Sequence, residues 1–181
     1  MEKKGCHKKL TMIAIVVCAV MAIYLWGVCG LSLQKTGNRA YHYTLPKELK
    51  QRIETDAKEF ADDKDIVDYS FCLTNELLTF SEKNNISRGK ANCIGYSQLF
   101  TSICNYALQV KGYEKRAKPV VGYVKWYGIN LSKIARFLAP KRYKNFVKDH
   151  DFVELNYGSY RVYCSPTLNE MIWNDGHTKV D

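Results

Sequence analysis

Gly89-Lys90-Ala91-Asn92-Cys93-Ile94-Gly95-Tyr96-Ser97-Gln98-Leu99-Phe100 is the stretch that decides the reading of this chain. A polar loop carrying glycine, serine and asparagine gives way at Cys93 to an apolar pattern of helical period. Leu99, Phe100, Ile103, Ala107 and Val110 form the expected buried face, and Gly112 is the natural residue to follow the helix end. The spacing therefore predicts a helix over 93–110 with Cys93 just inside its start. Free backbone N–H groups and the helix dipole at that place favour a thiolate.

Working outward, His150 heads the alternating run His150-Asp151-Phe152-Val153-Glu154-Leu155, a pattern that reads as a strand. A cysteine and a histidine far apart in sequence are how a thiol nucleophile and its base look before folding brings them together. Singly, Cys93 reads better as a core thiol and His150 as a satisfied strand histidine. Ser165-Pro166-Thr167 closes a further strand.

Taken in order, Cys93-Ile94-Gly95-Tyr96, His150-Asp151-Phe152-Val153-Glu154 and Ser165-Pro166-Thr167 resemble the core of the transglutaminase-like superfamily, circularly rearranged relatives of papain. The resemblance runs from about Asp65 to Trp173. It implies an α+β fold in which the nucleophile helix packs on an antiparallel sheet. It also implies roles: Cys93 as nucleophile, His150 as base, and Ser165 where the family has the aspartate that orients the imidazole. Serine can hold the tautomer but brings no charge, and losing the carboxylate of a comparable triad costs about 10⁴ in rate. Asp151 and Asn169 are the nearby substitutes. The activity implied is a peptidase or amidase working by acyl transfer on an extracytoplasmic peptide or amide. The alternative is a weak or inactive domain serving as a tethered binding or assembly module. No cofactor or metal is expected, and no Cys–His spacing fits a structural zinc site.

The chain has 181 residues, enough for one domain and an appendage. Residues 10–31 carry no charge, and at about 1.5 Å each they cover the roughly 30 Å hydrocarbon layer. Tyr24 and Trp26 stand near the distal end as interfacial aromatics do. A signal peptide would have a shorter apolar core, about 7–15 residues. Lys3, Lys4, Lys8 and Lys9 precede the run, so residues 1–9 read as a cytoplasmic basic tail and the domain as exported. Residues 32–44 read as a polar linker and 45–181 as the domain. Among the exported cysteines, Cys72 and Cys104 read as small buried hydrophobes.

The net charge of +9 is concentrated between Lys111 and Lys148, where eleven Lys or Arg face one Glu. Beside a membrane such a stretch suits anionic head groups or an acidic substrate, while nucleic acid is disfavoured by export and the lack of a recognition motif. Helices are expected over 45–61 and 63–80, strands over 119–126, 152–157 and 160–164, and a hairpin turn at Tyr157-Gly158-Ser159. Between the first two strands, Ile129, Leu131, Ile134, Phe137 and Leu138 recur at helical spacing. That inserted helix reads either as core packing or as lying on the membrane surface.

Overall fold

The computed structural model describes residues 17–18, 21, 30–41, 43–114, 116–138, 149–157, 161–168 and 177–179. From residue 47 on, the α-helices are α1 (Lys47–Asp56), α2 (Asp63–Leu77), α3 (Cys93–Val110) and α4 (Leu131–Leu138), and Val17, Cys18 and Met21 are also helical. The strands are β1 (Leu31–Asn38), β2 (Thr79–Phe80), β3 (Lys90–Ala91), β4 (Ala117–Trp126), β5 (Ile129–Asn130), β6 (His150–Asn156), β7 (Arg161–Cys164) and β8 (His177–Lys179). An antiparallel sheet runs β1-β4-β6-β7-β8, with β5 paired to β4, and the short parallel pair β2-β3 stands apart. β1 and β8, the two ends of that order, touch, so the sheet curls on itself. The architecture is mixed α+β, helices against a curled antiparallel sheet.

Local chemistry accounts for the helix limits. Asp62 caps α2 by accepting the Asp65 N–H, and Pro46, at φ −58°, stands at the N-cap of α1. α3 ends at Gly112 in the left-handed region, φ +77°, with the Tyr113 N–H returning 2.8 Å to the Leu108 carbonyl. The face of α3 bearing Tyr96, Leu99, Phe100, Ile103, Cys104 and Ala107 is buried against α1, α2, β4 and β6. Each large side chain there contributes about 1.5–3 kcal/mol of burial. Val110, expected on that face, is exposed, because it falls on the last turn where the helix leaves the core. Cys104 is buried as expected; Cys72 is exposed, lying one position past buried Phe71 on the outer side of α2.

Successive residues of a strand face opposite ways, and both faces of this sheet are used. Val153 and Leu155 of β6, with Val162 and Cys164 of β7, pack into the helical core. Phe152 and Tyr163 join Leu33 and Val120 in a second cluster on the other face. A buried Glu154 accepts a 2.8 Å bond from Lys35 there. Gly122 lets β1 and β4 approach: a Cβ at that position would stand 1.9 Å from the Gln34 carbonyl oxygen.

Two boundaries differ from the sequence reading. Residues 32–44 are not a linker throughout, since β1 pairs with β4 along its length, with an irregularity between Lys35 and Gly37. Only Leu33 of β1 is buried, so the strand carries the polar composition of a linker while its backbone joins the sheet. The apolar run 10–31 lies outside the described residues except for Val17, Cys18, Met21, Gly30 and Leu31. Its expected end is corrected: Leu31 opens β1 and pairs with Trp126, so it belongs to the sheet. Among the described residues no helix is long and apolar enough to cross a membrane. The turn at 158–160 and Asn169 also lie outside them.

Candidate functional site

The Cys-Ile-Gly-Tyr sequence has a structural logic at each position. Asn92 caps α3, its side chain accepting the Ile94 N–H at 3.0 Å, and its own N–H donates to Asn84 Oδ1 at 2.8 Å. Gly95 leaves room for that loop, because a Cβ would meet Ala91 Cβ at 2.6 Å and Asn84 Oδ1 at 2.8 Å. The Tyr96 hydroxyl donates to the Leu78 carbonyl at 2.9 Å and fastens α3 to the end of α2. The result sets Cys93 at the first position of the helix, half-buried.

The partner of Cys93 is Asp151. The thiol lies 3.9 Å from Asp151 Oδ2, and the carboxylate is 1% exposed. Arg39, just beyond β1, grips both carboxylate oxygens, Nε at 2.5 Å and Nη2 at 2.9 Å. Burial first, then the charges of Asp151 and Asp149, push the Cys93 thiol up to about 11, against the opposing pull of the Asp151 and Ile94 N–H groups. At neutral pH it is a thiol. Burial also raises Asp151 above the usual carboxylate range, while the Arg39 fork pulls it the other way. A bidentate guanidinium of this kind matches the ionised carboxylate in geometry and charge.

His150 occupies the other face of β6. Its ring runs nearly parallel to Phe152, centroids 6.2 Å apart, and its Nε2 shares a 2.8 Å hydrogen bond with Ser165 Oγ. Ser165 is fully buried and also accepts the Leu168 N–H at 3.1 Å, which caps the short helical turn over 166–168. Burial pushes His150 down to about 4, so the imidazole is neutral at physiological pH.

Of the three expected residues, then, the structure brings His150 and Ser165 together and pairs Cys93 with neither. The alternation of β6 is the cause: Asp151, Val153 and Leu155 turn toward α3, and His150, Phe152 and Glu154 turn away. Arg39 was missed because it sits in the segment that reads as a linker. The signal for Asp151 was present, since the run His150-Asp151-Phe152-Val153-Glu154-Leu155 fixes which residues share a face once Val153 and Leu155 are taken as core. Asp149, whose charge reaches Cys93, lines a cavity of about 210 Å³ with Thr36, Val121, Tyr123, Asn130, Ser132 and Lys133. Among the described residues no three His, Cys, Asp or Glu side chains are grouped to hold a metal ion. No family model, curated protein or solved structure matches the chain.

Proposed function

We propose that this chain is a transglutaminase-like domain that serves as a membrane-tethered binding or assembly module, with Cys93 held as a thiol and not used as a nucleophile. The observation that carries this is the partner of Cys93: a buried carboxylate, Asp151, where acyl transfer needs an imidazole. A general base must stand within hydrogen-bond reach of the proton it takes, and the acceptor within reach of the Cys93 thiol is Asp151 Oδ2. An adjacent anion raises a thiol pKa, whereas thiol enzymes lower it. The polar cavity along β4, with Lys133 and Asp149 in its wall, offers a small ligand site that needs no chemistry from Cys93.

One observation favours the enzyme reading, a cysteine peptidase or amidase acting on an extracytoplasmic peptide or amide. The 2.8 Å His150–Ser165 pair reproduces the base and orienting residue that the resemblance implies. A chloroacetamide probe separates the two. Applied to the intact chain at pH 7, it should label Cys93 no faster than exposed Cys72, with or without His150→Ala. Rapid labelling of Cys93 that is lost in His150→Ala would restore the enzyme.

A further inference from the structure

We propose that the β4–β5 turn and α4 form a docking face that lies on the surface of an anionic lipid bilayer, an inference that rests on reading the apolar run ahead of β1 as the membrane span. The chain enters the domain at this face. Leu31 pairs with Trp126, and the Tyr127 N–H donates to the Gly30 carbonyl at 2.8 Å. The ring of Tyr127 covers Gly30 so closely that a Cβ there would stand 2.3 Å from it. Gly30 and Leu31, the last residues of the apolar run, therefore lie against the turn itself.

The turn and helix are built for such a surface. Tyr127 and Gly128 make a two-residue turn with φ of +46° and +81°. The first of these is a conformation that asparagine or glycine adopts far more readily than an aromatic residue. Tyr127 and Ile129 are about half exposed, Ile134 is exposed, and Phe137 and Leu138 on the last turn of α4 are 86% and 72% exposed. An eight-residue helix with this apolar side in water has a reason to be covered. Lys133 is exposed on the same helix, and Lys125 is half-buried in β4 beside the turn. Aromatic rings at the interface, aliphatic side chains below them and lysines toward the head groups are what an interfacial element needs. Lys125 and Lys133 at this face, on a chain of net charge +9, favour an anionic bilayer over a second copy of the same basic chain.

The test uses the full chain in nanodiscs of phosphatidylcholine with phosphatidylglycerol, and in detergent, with hydrogen–deuterium exchange read across 127–138. Exchange there should slow roughly tenfold in the anionic nanodisc. It should slow less in phosphatidylcholine alone or with Lys133→Glu, and return to the detergent value in Phe137→Asp/Leu138→Asp. Both of those positions are exposed, so the melting transition should stay in place. A chain that resists alkaline carbonate yet exchanges equally in nanodisc and detergent overturns the docking alone. Protection in detergent that grows with protein concentration assigns the face to a second copy and overturns it too. Extraction by carbonate overturns the membrane-span reading, and this inference with it.

Discussion

At the scale of the residue, Asp151 is the group on which the site turns. It holds the thiol of Cys93 against a negative charge and is itself held by Arg39. Asp151→Asn removes that charge, and alkylation of Cys93 by iodoacetamide at pH 8 should rise several-fold, a shift of about one pKa unit. Arg39→Ala leaves a buried carboxylate unpaired and should cost about 3 kcal/mol, measured by urea denaturation. His150 titrates in the opposite sense to a charge-paired histidine. Its folded pKa of about 4 lies below the ordinary 6.5, so the unfolded chain takes the proton first. Stability from this group is complete above pH 6.5 and falls as the pH drops toward 4. His150→Gln should flatten that part of the wild-type profile in thermal melts across this range. Sequence offers Cys93, His150 and Ser165 as candidates, whereas the structure pairs Cys93 with Asp151 and His150 with Ser165. Pairing depends on which side of one strand faces the helix, and a single register step reverses it.

Between residues and the whole lie the elements, and their legibility follows from how much periodic pattern each carries. The limits of α3 were readable because a capping asparagine, a long 3.6-residue period and a terminal glycine agree. β1 was not, because one buried leucine in eight residues leaves no alternation to detect. Its place in the sheet is a matter of backbone pairing with β4, which no side-chain pattern announces. Gly122 tests that pairing. Gly122→Ala puts a methyl group into the Gln34 backbone, and the strand must move. The expected result is loss of amide protection in β1 while α3 keeps its own. Ser165→Ala acts at the end of β7, where it leaves His150 Nε2 and the Leu168 N–H without their partner. A loss of about 1–3 kcal/mol should follow. The inserted segment gave α4 at the right place, with its apolar residues at helical spacing. That period cannot distinguish a helix packed in a core from one with Phe137 and Leu138 in water.

Taken whole, the molecule is a helical layer against a sheet whose two ends meet, and the sheet needs its first strand. A chain begun at residue 39 lacks the partner for β4 and the Leu33 contribution to the second core. It should show no cooperative melt, whereas one begun at residue 30 should. The same strand governs the order of assembly. β1 is synthesised before α1 to α4, yet the Val121 carbonyl that accepts the Thr36 hydroxyl comes 85 positions later. Until then its N–H and C=O groups form an open edge, the kind of template on which chains aggregate. The polarity that made residues 32–38 resemble a linker, with Lys35 and the Gly37 irregularity, keeps that waiting edge a poor seed for pairing with another chain.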